Sequence, residues 1–179
     1  MNPKLDFIFA RRSVRCYQER PIAEETVRDL LEAAMAAPSA VARDPWRFIV
    51  VQSRERLLQL VDILPHGKML RNAAAGIVVC GDIERAHDGK ESYMLQDCSA
   101  AVENLLLAAT ALGLGSCWLG VHPRVERMDG IRRLFALPDN IIPLAGISLG
   151  WPEKEPTART RYDEGHVHHE EWQQSGRAD

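Results

Sequence analysis

One segment restricts the fold of this chain more than any other. Residues 92–114, SYMLQDCSAAVENLLLAATALGL, carry apolar side chains on more than one helical face. A surface helix of a soluble protein keeps one polar side, so a helix that is apolar nearly all round belongs in the interior of a structure. Asp97, Glu103 and Asn104 interrupt the segment and argue against a membrane span. We therefore expect a long, deeply buried helix.

The rest of the chain alternates helical and extended patterns. Apolar residues at helical spacing predict helices over 22–38, 53–64 and 124–138. Short runs of mainly apolar residues predict strands over 46–52, 76–82, 115–121 and 141–151. Gly113 is expected to end the long helix. From the residues alone, a four-stranded α+β layered domain and a doubly wound α/β domain fit this pattern equally well.

Composition and charge narrow the class of protein. A chain of 179 residues with 46% apolar and 26% charged content is expected to form one soluble domain, 1–179. The net charge of -3 and the pI near 6.1 argue against nucleic acid as a partner. No apolar run reaches the ~20 residues of a membrane span, and the first residues do not resemble a secretion signal. Four widely spaced cysteines without a C-x-x-C pair predict reduced thiols and a cytoplasmic location.

The sequence changes character after Trp151. The segment PEKEPTARTRYDEGHVHHEEW is polar, contains two prolines and offers few apolar side chains with which to build a core. A segment of this kind gains order only by lying against an existing surface. We expect residues 152–179 to form a C-terminal tail that packs on this subunit or on a partner.

Two patterns that can indicate ligand sites are weak in this chain. Gly113, Gly115 and Gly120 follow a helix and lead into a strand, whereas dinucleotide-binding glycines follow a strand and precede a helix. His166 and His168 of HVHH (166–169) share a face if the tail is extended, but two imidazoles without a cysteine or carboxylate at ligand geometry make a weak site, so a solvated tail is favoured and no metal site is expected. The hydrolase and nucleotidase motifs G-x-S-x-G, H-E-x-x-H and Walker A do not occur in the sequence.

Positive charge is concentrated in two places despite the negative total. The N-terminal stretch contains Arg11, Arg12, Ser13 and Arg15, and the tail contains the pair Arg159 and Arg161. Guanidinium groups present planar forks of donors that match phosphate oxygens, and a serine hydroxyl adds another donor. Two interpretations stay open at this point: the clusters converge on one dianionic group, or they are solvated surface charges.

The chain contains, in this order, the motifs RRSVR, PSA, PWRF, GKML, QDCSAAVENLLLAATALGLGSCWLG, LPDNIIPLAGISLGWP and, last, R-x-R. In the order of these motifs it resembles the nitroreductase family of FMN-dependent oxidoreductases. The resemblance covers the chain from Phe7 to Trp172. It implies an α+β fold, a sandwich around a mixed sheet of four to five strands flanked by helices. It also implies an intertwined homodimer with FMN sites at the interface and C-terminal segments that reach over the partner subunit.

The same resemblance implies roles for individual residues. Arg11, Arg12, Ser13 and Arg15 match the opening R-x-S-x-[RK] motif, in which Arg11 and Ser13 hold the FMN phosphate and ribityl end. Arg15 would face the N1/O2 edge of the flavin, where positive charge stabilises the reduced, anionic form. By the same resemblance, Lys68 lies near that edge, and the turn of Pro38, Ser39 and Ala40 packs on the isoalloxazine from the other subunit. The backbone of Leu119, Gly120 and Val121 runs past flavin N5. Arg159 and Arg161 form a second basic pair for the phosphate.

The chain departs from the family pattern in one loop. Relatives often read PS-x-x-N-x-QPW, whereas this chain reads PSAVARDPW, with Ala42 and Asp44 at the two amide positions. The change removes a polar contact near the flavin and introduces a negative charge. The phosphate-binding residues are intact, so we expect FMN binding to persist, while substrate preference does not follow from the resemblance.

The resemblance implies hydride transfer from NADH or NADPH to flavin N5 and then to an electron-poor acceptor such as a nitroaromatic or a quinone. The flavin carries the chemistry, so no catalytic side chain is expected. Alternatives within the fold are reductive dehalogenation and flavin fragmentation, although the chain has no long insertion for a lid. A flavin-binding module without turnover, or an interaction protein without a cofactor, are alternatives of another class.

Overall fold

The computed structural model describes residues 2–172, in which five α-helices pack on a four-stranded sheet. The helices are α1 (Asp6–Ala10), α2 (Glu24–Met35), α3 (Arg54–Ile63), α4 (Glu91–Ala111) and α5 (Val125–Phe135). The strands are β1 (Trp46–Val51), β2 (Ala75–Asp82), β3 (Gly115–Gly120) and β4 (Ile141–Gly150). The predicted helices and strands therefore lie where the sequence patterns place them, α1 is an additional helix that was not predicted, and the fold is α+β.

The sheet has the order β1-β2-β4-β3, and all three strand pairs are antiparallel. It differs in this respect from the mixed sheet that the resemblance implies. Its parallel element is a single bridge between Ser13 and Ser116, through which the N-terminal segment lies along the outer edge of β3. The direction of the strands could not be predicted from the pattern of each strand alone. Strand β2 is buried at every position, and its continuous apolar pattern is also typical of parallel sheets.

Helices cover both faces of this sheet and form two core layers. Alternate residues of β2 point to opposite faces, so that Ile77 belongs to one layer and Val78 to the other. The first layer contains the buried faces of α2 and α4, and the second contains those of α3 and α5. The domain is thus a sandwich of helix, sheet and helix layers, as expected.

The long helix α4 lies in the first layer and is buried along most of its length, as its composition predicts. It contacts α1 and α2 as well as the sheet. The helix ends at Ala111, three residues before the predicted end, and Gly113 follows it with a left-handed φ of 76°. A residue with a side chain adopts this conformation at a cost, so glycine stops the helix here.

The tail beyond Trp151 is almost entirely exposed up to residue 172, and its only helical feature is a short turn at Glu164–His166. Tyr162 and Trp172 are 74% and 81% exposed. Within residues 2–172, no helix combines the length and the apolar character that crossing a bilayer requires.

Candidate functional site

The N-terminal arginine segment is fastened to the sheet edge by hydrogen bonds. Val14 N–H donates to the carbonyl of Ser116 at 2.9 Å. The Tyr17 hydroxyl donates to the carbonyl of Val14 at 2.8 Å and also contacts the hydroxyl of Ser148 in β4 at 2.8 Å. Because Val14 precedes Arg15 directly, these bonds fix the backbone from which the Arg15 side chain extends.

Two glycines allow this close approach. A Cβ atom on Gly115 would lie 2.7 Å from the Val14 side chain, and one on Gly150 would lie 2.7 Å from the Tyr17 ring. Both distances are shorter than any normal carbon–carbon contact. The segment therefore fits against β3 and β4 only because these strands have glycine at the two positions.

Arg15 lies between two adjoining cavities, which share Arg15, Pro65 and His66 and which together we name the Arg15 cleft. Their volumes are about 250 Å³ and about 500 Å³. The complete lining is Arg15, Leu64, Pro65, His66, Lys68, Met69, Cys117, Trp118, Leu119, Gly120 and Arg127. The fold thus brings Arg15 and Lys68, which are far apart in the sequence, to one cleft with Leu119 and Gly120.

The Arg15 cleft is strongly cationic. Among residues 2–172, its basic side chains Arg15, Lys68 and Arg127 form no ion pair, and no carboxylate lines the cleft. Within the described part of the chain, the Arg15 side chain donates only to the carbonyl of Ser13, at 3.2 Å. Uncompensated positive charge around a concave surface attracts anions and stabilises negative charge that develops inside it.

Open space lies beside the β3 backbone in this cleft. A Cβ atom on Gly120 would approach no other atom more closely than Nη1 of Arg127, at 4.0 Å. Packing within the described chain therefore does not require glycine here, in contrast to Gly115. The missing side chain leaves room for a flat group to lie against the strand.

The cleft contains one thiol, which is not poised for nucleophilic attack. Burial raises the pKa of Cys117 above its usual value, so the group stays protonated at neutral pH. Cys117 is also 2% exposed, which limits its contact with a ligand. The arrangement supports binding and electrostatic stabilisation of a ligand rather than covalent catalysis by the protein.

A third cavity, of about 500 Å³, continues from Arg15 along the N-terminal segment to the start of the tail. It is lined by Arg12, Ser13, Val14, Arg15, Cys16 and residues 153–157. The tail is held here because Glu153 N–H donates to the carbonyl of Cys16 at 3.2 Å. Arg12 and Ser13 therefore lie beside the Arg15 cleft, on the same side of the molecule.

Two further arginines predicted for the site, Arg11 and Arg159, lie around the C-terminal end of α1. Nε of Arg11 lies 3.3 Å from Oε1 of Glu103, and the N–H of Arg159 donates to the carbonyl of Phe9 at 3.1 Å. The tail therefore brings Arg159 to the vicinity of Arg11. Arg161 is exposed and forms no ion pair within the described range.

The turn formed by Pro38, Ser39 and Ala40 lies in a different part of the molecule. Ala40 N–H donates to the Asp97 carboxylate of α4 at 2.9 Å. Helix α4 belongs to the first core layer, whereas Leu64 and Leu119 of the Arg15 cleft belong to the second. A single subunit therefore does not bring this turn to the cleft.

The loop that departs from the family pattern is closed by hydrogen bonds between Ser39 and Asp44. The Ser39 hydroxyl donates to the Asp44 carboxylate at 2.5 Å, and Asp44 N–H donates to the same hydroxyl oxygen at 3.0 Å. Val41, Ala42 and Asp44 all have φ near 50°, in the left-handed region. The Asp44 carboxylate thus serves to hold a strained loop, a role that the substitution pattern alone did not indicate.

Seven lining residues were not among the sequence-predicted site residues: Leu64, Pro65, His66, Met69, Cys117, Trp118 and Arg127. Trp118 and Arg127 lie next to the predicted stretch Leu119–Val121 in space, and the alternation of β3 is a signal that Trp118 shares a face with Gly120. Val121, by contrast, is fully buried and donates to the carbonyl of Leu144. No group of three or more His, Cys, Asp or Glu residues within 2–172 is arranged to hold a metal ion.

Comparison with known sequences and structures identifies the relatives of this fold. The model of the Nitroreductase family matches residues 8–66 and 63–151. An Archaeoglobus fulgidus protein named "Putative NADH dehydrogenase/NAD(P)H nitroreductase" is 45% identical over 175 residues, which cover 96% of this chain and 100% of the relative.

Solved structures agree over nearly the whole chain. A Parabacteroides distasonis protein of the same name superposes with a TM-score of 0.90 at 40% identity, covering 96% of this chain and 100% of its own. A nitroreductase-type protein from Desulfovibrio desulfuricans, solved in complex with FMN, superposes with a TM-score of 0.81 at 32% identity, covering 97% and 99% of the two chains. The chain therefore belongs to the nitroreductase family.

Proposed function

We propose that this protein is an FMN-dependent oxidoreductase that transfers hydride from NADH or NADPH to an electron-poor acceptor such as a nitroaromatic or a quinone. The observation that carries the proposal is the Arg15 cleft, where the unpaired cations of Arg15 and Lys68 lie around open space beside Leu119 and Gly120. The family membership and the FMN complex of a relative support the choice of cofactor.

The residues of the cleft fit FMN in shape and in charge. A flat isoalloxazine needs a strand that it can approach closely, and the empty position at Gly120 meets this need. The phosphate end needs hydrogen-bond donors, which the guanidinium of Arg12 and the hydroxyl of Ser13 provide in the neighbouring cavity, with Arg11 preceding them in the chain. The ion pair of Arg11 with Glu103 is partly exposed on both sides and is therefore weak enough to yield to a phosphate.

Bound FMN supplies the two-electron redox chemistry, and the protein controls its surroundings. Arg15 and Lys68 stabilise the negative charge that accumulates in the cleft on reduction, because both are cationic and neither has an acidic partner among residues 2–172. The Leu119–Gly120 backbone sets the depth at which a ring system lies. Cys117 stays protonated, and no side chain needs to act as a catalytic acid or base.

The functional unit is proposed to be a homodimer with a flavin site at each side of the interface. The turn of Pro38, Ser39 and Ala40 lies on the opposite core layer from the Arg15 cleft, so only a second subunit can bring it to the flavin. Exposed apolar side chains support such an interface: Phe7, Ile8, Met35, Val41 and Leu112 are all at least 40% exposed. Beyond Arg159, whose N–H contacts α1 of its own subunit, the exposed tail then lies over the partner subunit, and Arg159 and Arg161 contribute to a phosphate.

The whole chain is proposed to form one FMN-binding domain, 1–179, which ends in the tail from residue 152. The four cysteines are all free thiols. Reduced thiols in this number support a cytoplasmic location, because an oxidising compartment favours disulfides.

The test is a steady-state assay of NADH and NADPH oxidation by the FMN-loaded protein, with a nitroaromatic and a quinone as acceptors. We expect the protein to accelerate acceptor reduction well beyond an equal concentration of free FMN. Rates equal to those of free FMN with both nucleotides and both acceptors would contradict the proposal. Flavin binding without turnover would favour the non-catalytic alternative.

A further inference from the structure

We propose that Arg127 makes this site selective for small aromatic acceptors that carry a negative charge, such as a carboxylate. The inference rests on the proposed function and assigns a substrate class to the same site. Arg127 lies in α5, outside the motifs that match the flavin-binding pattern of the family.

The position of Arg127 is defined by the strand that borders the proposed flavin. Its Nη1 donates to the carbonyl of Gly120 at 2.7 Å, and the side chain is half-buried. The same nitrogen is the nearest atom to the open space beside Gly120. The guanidinium is therefore anchored through one N–H while its other donors remain available at the cavity that it lines.

The charge of Arg127 is not cancelled by its surroundings. Glu126 and Asp129 lie on the same helix, but neither forms an ion pair with Arg127 among residues 2–172. Under the proposed function, Arg15 and Lys68 are engaged by the flavin. Arg127 is then the arginine of the cleft that remains available to bind the second substrate, the electron acceptor.

The other walls of this cavity indicate what kind of anion fits. Trp118, Leu64 and Pro65 present apolar surface next to Arg127. A flavin against Gly120 fills part of this cavity, so an acceptor that stacks on the flavin meets these walls at its edge, and their apolar surface favours a small aromatic ring. An anionic substituent on that ring would form a charge-assisted hydrogen bond with the guanidinium.

The experiment compares 4-nitrobenzoate with its neutral analogue 4-nitrobenzamide as acceptors of the FMN-loaded protein. The measured quantity is the ratio of their kcat/KM values, because a ratio cancels effects on flavin reduction. We expect wild type to prefer the anion and Arg127→Gln to lower the ratio about tenfold, the loss expected for one charge-assisted bond. Arg127→Lys should restore part of the preference, and Arg133→Gln, an exposed residue of the same helix, should leave the ratio unchanged.

A ratio within twofold of wild type in Arg127→Gln would overturn the inference, even if both acceptors are reduced well. Failure of wild type to reduce either acceptor would instead overturn the proposed function. A second measurement covers the case in which the Gln variant does not fold. The wild-type preference for 4-nitrobenzoate should fall as ionic strength rises, and no preference for the anion at low salt would overturn the inference without any variant.

Discussion

The hydroxyl oxygens of Tyr17 and Ser148 lie 2.8 Å apart, and this contact joins the N-terminal arginine segment to the central strand β4. Tyr17 has one hydroxyl proton, which it donates to the carbonyl of Val14 at 2.8 Å. Ser148 must therefore donate to Tyr17. Both side chains are buried, and burial raises the pKa of the Tyr17 phenol above its usual value, so the group remains a donor at all physiological pH values.

Replacement Tyr17→Phe should therefore destabilise the protein. The variant leaves the Ser148 hydroxyl and the Val14 carbonyl without their partner, at a cost of about 1–3 kcal/mol in the free energy of unfolding. Chemical denaturation of the apo protein measures this cost. Tyr162→Phe removes the same atom from a side chain that is 74% exposed, and should change the unfolding free energy by less than ~0.5 kcal/mol. Equal effects of the two substitutions would contradict the assigned bond.

Arg15 is expected to control the reduction potential of the flavin. In Arg15→Ala, loss of ~1.5–3 kcal/mol of stabilisation of the reduced, anionic form lowers the two-electron potential by about 30–60 mV. FMN affinity should change little, since the phosphate contacts are unaffected. The measurement is an anaerobic redox titration against a reference dye, with Arg133→Ala as the control. An unchanged potential in a folded, flavin-loaded Arg15→Ala protein would mean that Arg15 does not face the flavin.

The proposed phosphate contacts predict a difference between FMN and riboflavin. Arg11 and the tail pair Arg159 and Arg161 come from opposite ends of the chain, and the structure brings the Arg159 backbone to α1. Loss of one charge-assisted bond in Arg11→Ala or Arg161→Ala should weaken FMN binding about ten- to a hundredfold. The double variant should deviate from additivity, because both residues are proposed to bind one ligand.

Fluorescence titration of the apo protein measures this effect. Riboflavin has no phosphate and serves as the control ligand, whose affinity should barely respond to either substitution. If FMN affinity stays within a factor of two in both single variants, these arginines are surface charges.

The proposed flavin site draws on residues from both core layers, and this distribution predicts a dimer. Light scattering of the FMN-loaded protein at micromolar concentration should give about twice the chain mass of 20.1 kDa. A charge at the loop tip, Val41→Glu, should weaken the dimer and FMN binding together, because Val41 is 70% exposed and lies next to Ala40. A monomeric wild type that still retains FMN would rule out a shared site.

Much of the fold follows from local patterns in the sequence. The helix predicted over 22–38 spans Glu24–Met35, and the strand predicted over 46–52 spans Trp46–Val51. Apolar periodicity and prolines determine such elements locally, so each helix or strand can be predicted from its own residues. Strand direction and order depend on which elements pack together, and the antiparallel order β1-β2-β4-β3 was not predictable in this way.

The candidate site also contains residues that could be predicted from the sequence and residues that could not. That Arg15 and Lys68 belong to one site was expected from the resemblance, and the structure brings both to one cleft. Arg127 could not be identified, because only the packing of α5 against α3 and β4 brings its guanidinium to the Gly120 carbonyl. The role of Asp44 was likewise hidden, since its bond to Ser39 depends on the left-handed turn between them. The phosphate contacts and the dimer remain predictions.

The most direct test of the account is an anaerobic half-reaction, in which the purified, FMN-loaded protein is mixed with NADH or NADPH and no acceptor. The account predicts that the yellow absorption band of the bound flavin bleaches much faster than that of free FMN, and that a nitroaromatic or a quinone then restores it. A folded protein that takes up no FMN, or a flavin-loaded protein that stays oxidised with both nucleotides, would contradict it.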